Sequence, residues 1–201
     1  MHISPPGIQS CIRARGTLVA IAAIAVAVSA GAGAPSAAAA GCPNADLAPG
    51  DAAQAALAQT AARCLVNRER RKRGRRSLRF NGNLLESSTW QAQDMVDHAY
   101  FDHQRSGGPS FTARITRFGY GENSNGFSLG ENIAWASAST ASAREIVRMW
   151  MHSPGHKANI LRGPFREQAI AAVWVNGDEV GGEYAGAGPV VIYVNQFGTR
   201  Y

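Results

Sequence analysis

The chain has 201 residues, of which 45% are hydrophobic and 17% charged, and its formal net charge is +6. This length is enough for one domain of ordinary size or two small ones. Two of the 20 Lys and Arg residues, Arg13 and Arg15, precede residue 41; the remaining 18 against 14 Asp and Glu give the rest of the chain a modest net charge near +4.

The first forty residues have the three-part layout of a secretory signal peptide. Arg13 and Arg15 give a positive start, residues 18–28 (LVAIAAIAVAV) are an unbroken apolar run, and small residues lead to Ala40. We predict cleavage of residues 1–40 and a secreted, extracellular protein that can associate with the cell envelope. The alternatives are lipid attachment at Cys42 and an uncleaved membrane anchor. The 11 apolar residues fall short of the ~20 that a spanning helix needs.

The chain after the signal has two cysteines, Cys42 and Cys64. An even number in an oxidising compartment predicts a disulfide between them. The bridge would pin an N-terminal arm, residues 41–60 with the start of the first helix, to that helix. It would close a loop of about 22 residues and contribute on the order of 3 kcal/mol. The alternative is two independent buried thiols.

Helical periodicity begins at Ala52, with an apolar stripe on Leu57, Ala61, Cys64 and Leu65, and Gly74 marks the predicted end of the helix. Nine of the 18 Lys and Arg lie in residues 63–79. This basic cluster either holds an anionic partner or is a solvated helix end, where cations suit the helix dipole.

A second helix is predicted to begin after Asn83, because Asn83 and Glu86 have the spacing of a capping pair. It carries a face of small and apolar residues and must end near residues 107–109, Gly-Gly-Pro. Residues 110–118 predict a short helix with Phe111 and Ile115 inward. Residues 119–130 are rich in Gly, Asn and Ser and predict a loop.

The next helix is predicted from Ser142, with Glu145 three residues on and a buried face formed by Ile146, Met149 and Trp150. Pro154 ends it, and Ser153 is placed to cap a new short helix whose first turn holds His156. Two runs rich in Val, Ile and aromatic residues, 168–175 and 189–197, predict antiparallel strands. The expected class is α+β, with helices on a small, mainly antiparallel sheet.

Three residues are predicted to form a candidate site. His103 and His156 each follow a predicted helix end, and Glu131 ends the glycine-rich loop. Two imidazoles and one carboxylate suit a divalent metal such as zinc, with the fourth position left for water.

Four segments carry a resemblance to a known family: YFDHQ (100–104), GENIAW (130–135), WMHSPGHKANIL (150–161) and VNQFG (194–198). They resemble the bacterial branch of the CAP superfamily, the cysteine-rich secretory, antigen-five and pathogenesis-related proteins, also called SCP domains. The resemblance runs from about Ala61 to Phe197 and places the domain in residues 61–201. It implies a three-layer α-β-α sandwich with a central cleft.

The resemblance also implies a set of two His and two Glu that can bind zinc. His103, Glu131 and His156 match three of its members, and the position of the other Glu is occupied by Ser153. Glu122, in a second GEN segment, is rejected because Ser124 follows the segment instead of an apolar residue. A serine hydroxyl is a far poorer ligand than a carboxylate, so the set is incomplete. The alternative without a metal is that the three residues bond to each other across the cleft.

Three functions follow as expectations. The first is a secreted, non-enzymatic binding or surface module whose cleft takes a metal or small ligand through His103, Glu131 and His156. The expected partner is a small ligand, a lipid or a cell-wall polymer and not a nucleic acid. The protein is expected to be a monomer with no stable membrane span after signal cleavage. The second is a metal-dependent hydrolase, disfavoured because no spare carboxylate is visible near the site to act as a general base. The third is a basic adhesive module that uses residues 63–79 on an anionic cell-wall polymer.

Overall fold

A computed structural model describes residues 41–201 of the protein. Its elements are α1 (Ala52–Arg71), β1 (Arg79–Phe80), α2 (Gly82–Asp97), α3 (Phe111–Arg117), β2 (Phe127–Ser137), α4 (Ala143–His152), α5 (Pro154–Leu161), β3 (Glu167–Asn176), α6 (Gly177–Val180) and β4 (Pro189–Arg200), with short 3-10 turns at Ala138–Thr140 and Gly182–Tyr184. The predicted signal peptide, and the membrane-anchor alternative to it, lie outside the described residues. Within residues 41–201, none of the helices has both the length and the apolar character needed to cross a bilayer.

The sheet has four strands in the order β1-β3-β4-β2. Both long pairings, β2 with β4 and β3 with β4, are antiparallel, and only the two-residue β1 pairs in parallel. One face of the sheet packs against α1, α4 and α5, and the other packs against α2. The predicted α+β fold in three α-β-α layers is therefore confirmed.

The alternation of side chains along β4 decides what each layer buries. Val191, Tyr193 and Phe197 belong to the core under α1, α4 and α5. Val190, Ile192 and Val194 belong to the core under α2. Strand β4 is therefore mainly apolar on both faces, as expected for an inner strand covered on each side by helices.

The disulfide between Cys42 and Cys64 is confirmed. It ties the arm to α1, and the arm also packs on α4: Ala45 is buried, and its carbonyl accepts the Arg144 N–H. Helix α1 begins at Ala52 as predicted, with the Asp51 side chain capping the Gln54 N–H at 2.7 Å.

The predicted inward faces of two helices were each wrong at one residue, Leu57 in α1 and Met149 in α4. In α1 the buried side is formed mainly by small residues, from Ala55 to Val66, while Leu57 is 46% exposed. In α4 Val147 is buried and Met149 is exposed. In both helices two adjacent faces are similarly apolar. Packing against the neighbouring layers determines which of the two faces is buried.

Three predicted boundaries were wrong. Helix α2 is capped by Asn81, whose side chain accepts the Leu84 N–H, and not by Asn83 with Glu86. The same helix ends at Asp97, well before residues 107–109, because Ala99 adopts a left-handed conformation with φ 51°. Residues 127–130 belong to β2 and not to a loop, since β4 extends to Arg200 and pairs with them.

Arg70 is a fully buried cation near the end of α1. Its guanidinium donates to the carbonyl oxygens of Arg76 (2.8 Å), Ile160 (2.6 Å), Arg162 (3.1 Å) and Phe165 (3.4 Å). Burial, together with the neighbouring Arg166 and Arg75, lowers the pKa of Arg70 to about 10, so the group remains charged at neutral pH. One side chain thus joins the end of α1 to the end of α5 and to the segment that follows it.

Replacing Arg70 by Met keeps the aliphatic stem but leaves these buried carbonyl groups without a donor. We expect Arg70→Met to lower the free energy of unfolding by on the order of 3 kcal/mol, measured by urea denaturation. The exposed neighbour is the control: Arg71→Met should change it by less than about 0.5 kcal/mol. Equal effects of the two substitutions would contradict the structural role of Arg70.

Candidate functional site

A buried carboxylate, Glu131, lies at the centre of the site. It is in the middle of β2 and not at the end of a loop, and it pairs across the sheet with Gln196 of β4. Glu131 Oε2 accepts hydrogen bonds from Arg114 Nη2 at 2.6 Å and from Gln196 Nε2 at 2.8 Å. Glu131 Oε1 lies 2.8 Å from His103 Nδ1. Both carboxylate oxygens are therefore occupied by groups of the protein itself.

Arg114 compensates the charge of Glu131 and also positions His103. The Arg114 and Glu131 side chains are 1% and 2% exposed, so solvent contributes little screening to their ion pair. Arg114 Nη1 donates to the His103 carbonyl at 2.9 Å. One guanidinium on α3 thus holds both the carboxylate on β2 and the backbone of the segment that carries His103.

The His103 ring is half exposed and presents Nδ1 to Glu131. The hydrogen bond to Glu131 is the largest cause that raises the pKa of His103, partly offset by desolvation. An N–H at Nδ1 satisfies the carboxylate and leaves Nε2 of the ring directed elsewhere.

His156 lies in the first turn of α5, as the sequence predicted, and two asparagines fix that turn against β2. Asn132 Nδ2 donates to the His156 carbonyl at 3.0 Å. Asn159 Nδ2 donates to the carbonyl of Glu131 at 3.1 Å and to Asn132 Oδ1 at 3.0 Å. Burial, and then the charge of the nearby His103, lower the pKa of His156. The His156 imidazole therefore favours its neutral form.

A cavity of about 280 Å³ lies where the α4–α5 corner meets β2. Its wall is mostly apolar, and Ser153 and His156 are the two side chains in it with polar groups suited to a ligand. Trp150 donates its indole N–H to the Ile133 carbonyl at 3.1 Å, which locks one wall against the strand. The full lining is Phe101, Ile133, Ala134, Trp135, Met149, Trp150, Ser153 and His156.

The predicted site residues therefore fall into two adjacent groups. His103 and Glu131 are hydrogen-bonded to each other, whereas Ser153 and His156 line the cavity. His156 is close enough to His103 for their charges to interact.

The donor atoms do not fit a zinc site with three protein ligands. Among residues 41–201 no group of three or more His, Cys, Asp or Glu is arranged to hold a metal ion. The carboxylate that would be the third ligand is bonded on both oxygens, and one of its partners is a buried cation, Arg114. A dication there would displace these bonds and meet the charge of Arg114.

Two residues of the site were missed by the sequence analysis, Arg114 and Gln196. Arg114 lies in the short helix whose inward positions were predicted to be Phe111 and Ile115, one residue from Ile115. Gln196 lies on the same face of β4 as Val190, Ile192 and Val194, and its side chain reaches Glu131 on the paired strand. For Gln196, a polar residue in line with an apolar strand face was the available signal, whereas Arg114, beside the inward Ile115, gave no such signal.

Most of the described chain matches a known protein family. The model of the CAP family, "Cysteine-rich secretory protein family", matches residues 64–185, more than half of the chain. YkwD of Bacillus subtilis (strain 168), an uncharacterized protein, is 35% identical over 109 residues, which are 54% of this chain and 40% of YkwD. The chain therefore matches less than half the length of that relative.

Two solved structures share the fold. An outer surface protein from Borrelia burgdorferi is 18% identical with a TM-score of 0.53, covering 69% of this chain and 90% of that one. An extracellular protein containing a SCP domain from Bacillus anthracis str. Ames is 22% identical with a TM-score of 0.53, covering 69% and 39%. At these identities the likeness concerns the fold alone.

The Glu131–Arg114 pair can be tested by removing its cation. Arg114→Met leaves a buried carboxylate without its compensating charge and should lower the free energy of unfolding by about 3–5 kcal/mol. Arg117→Met, on the exposed side of the same helix, is the control and should change the free energy of unfolding by less than about 0.5 kcal/mol. Adding Glu131→Gln to Arg114→Met should recover part of the loss, because the two side chains are coupled. Urea denaturation measures the free energy of unfolding of all three variants. If the effects of Arg114→Met and Glu131→Gln simply added, the two side chains would not be coupled.

The two histidines should titrate on opposite sides of the ordinary imidazole pKa of about 6.5. NMR of the imidazole protons should place the pKa of His103 above that value and that of His156 below it, and Glu131→Gln should remove most of the increase at His103. Because the folded-state pKa of His103 is raised, its stabilisation is present at low pH and is lost as the pH rises through that pKa. A His103 pKa that Glu131→Gln leaves unchanged would contradict the assignment.

Proposed function

Because the chain belongs to the CAP family of cysteine-rich secretory proteins, we propose that it is an exported, non-enzymatic binding module. Its ligand would enter the cavity at the α4–α5 corner. The observation that carries this proposal is a mostly apolar cavity whose lining includes two polar side chains, Ser153 and His156. Apolar walls with a few placed polar groups are typical of small-molecule sites.

The chemistry of the cavity suggests an apolar or aromatic group that carries one hydrogen-bonding atom. The Ser153 hydroxyl makes no capping hydrogen bond to α5, so it is free for a ligand. A neutral His156 ring offers one donor and one acceptor. A volume of about 280 Å³ suits a small molecule or one side chain of a larger partner.

Export is supported by the signal-like pattern of residues 1–40 and by relatives described as extracellular or outer-surface proteins. A location outside the cell, in the medium or at the envelope, is part of the proposal. The monomeric state and the lack of a nucleic-acid partner stay predictions.

The hydrolase alternative has less support. A general base must reach the proton it removes, and Glu131 is held by His103, Arg114 and Gln196. No hydrogen bond joins Ser153 to the His156 ring within residues 41–201, so the geometry does not favour an activated serine.

Zinc binding by His103, Glu131 and His156 stays a prediction, and the bonds of Glu131 to Arg114 and Gln196 disfavour it. We expect added zinc to leave the thermal midpoint of the protein nearly unchanged, because Glu131 is committed to Arg114. A zinc-dependent rise in the midpoint that disappears in both His103→Ala and His156→Ala would overturn this expectation and establish a metal site.

Ligand binding in the cavity can be tested with indole as the probe. In NMR titrations, indole should shift the signals of the Trp150 indole N–H, Ser153 and His156. Ser153→Leu places a bulky group in the cavity and should weaken indole binding by about tenfold or more, while Ser139→Leu, at an exposed position, should leave it within about twofold. Shifts confined to other surfaces, or equal affinity in both variants, would refute the proposed site.

A further inference from the structure

We infer that a second site, independent of the cavity, binds a linear anionic polymer with phosphodiester groups. The site is a cationic surface formed by Arg71, Lys72, Arg73, Arg75 and Arg76, which follow or end α1, and by Arg162 and Arg166 between α5 and β3. All seven side chains belong to exposed residues. The second segment, 162–166, is far from the first in sequence and only the fold brings it there.

Arg70 is the link between the two segments. Its buried guanidinium donates to carbonyl groups on both sides, those of Arg76 and of Arg162 and Phe165. The two segments also lie close together, since a β-carbon built on Gly163 would be 3.4 Å from Arg75 Nη1. The exposed cations are therefore displayed on a backbone that is fixed before any ligand arrives, which reduces the entropy cost of binding.

The cations greatly outnumber the carboxylates that neutralise them. Lys72 and Arg73 share one partner, Glu69, at 2.9 Å and 2.6 Å. Arg162 lies over the Phe165 ring, 5.2 Å from its centroid, and Arg166 donates to the Gly163 carbonyl. Across residues 41–201, no carboxylate pairs with Arg75, Arg76, Arg162 or Arg166. The nearby Glu167 carboxylate is engaged by Arg200 and Tyr120.

A solvated helix end does not explain this surface. The dipole of α1 favours cations in its last turn and decays beyond it, which accounts for Arg71 but not for Arg75 and Arg76. It accounts even less for Arg162 and Arg166, which belong to another part of the chain. Like charges gathered at one place repel each other, and an anionic partner removes that cost.

The side-chain chemistry selects phosphate. Six of the seven cations are arginines, whose planar guanidinium group binds phosphate oxygens in pairs. Several such groups on one surface suit a polymer that repeats the anion along its length. A polyol phosphate polymer outside the cell fits an exported protein better than a nucleic acid does, and this choice rests on the export proposed above.

The test measures binding of the purified protein to synthetic poly(glycerol phosphate) by fluorescence anisotropy over a range of salt concentrations. The variant Arg75→Gln/Arg162→Gln should weaken binding at least tenfold. It should also reduce the slope of log K against log salt by about 0.7–0.9 for each phosphate group that the variant no longer neutralises. The control Arg105→Gln/Arg117→Gln removes the same charge elsewhere and should change affinity less than twofold.

Four results would overturn the inference. They are no binding to poly(glycerol phosphate), equal losses in the two double variants, tighter binding to vesicles of anionic phospholipid, or tighter binding to duplex DNA. Circular dichroism of both variants guards against a loss caused by unfolding. Ser153→Leu separates this site from the cavity: it should leave polymer binding unchanged, so failure of one proposal does not imply failure of the other.

Discussion

The arrangement of the site depends on one buried ion pair, Glu131 with Arg114. A carboxylate inside a sheet is costly unless a charge and hydrogen bonds compensate it, and here an arginine from α3 and a glutamine from β4 supply them. Because the same arginine holds the His103 carbonyl, this compensation also fixes the part of the segment between α2 and α3 that carries His103. The pair thus couples the sheet to the segment that carries the first histidine.

A second set of contacts places the other histidine. Hydrogen bonds of Asn132 and Asn159 join α5 to β2. Trp150 joins α4 to the same strand through the carbonyl of the next residue, Ile133. The helix-to-helix corner is therefore held at a fixed distance from the strand, and the space left between them is the cavity. The two histidines end in different electrostatic surroundings: His103 faces a carboxylate, whereas His156 is partly buried and near a like charge.

The arginines of this chain include two buried ones with structural contacts and a larger exposed group. Arg70 and Arg114 are buried and act as internal connectors, one through carbonyl groups and one through a carboxylate. The exposed arginines around the end of α1 contribute little to the core. A single stretch of sequence, RRKRGRR (70–76), contains both kinds, so its charge alone does not reveal which residue is structural.

The sequence by itself determined the α+β class, the antiparallel pairing of the last two strands, the disulfide partners and the corner at Ser153-Pro154. These features follow from local signals, namely strand propensity, cysteine count and proline geometry. It also named His103, Glu131 and His156, through motifs that resemble a family. Only the tertiary structure decided that Arg114 and Gln196 occupy the Glu131 carboxylate, that Leu57 and Met149 face outward, and that Arg162 and Arg166 join the basic turn after α1. Each of these outcomes depends on which distant side chains share one small volume, and that is set by the packing of layers rather than by any local pattern.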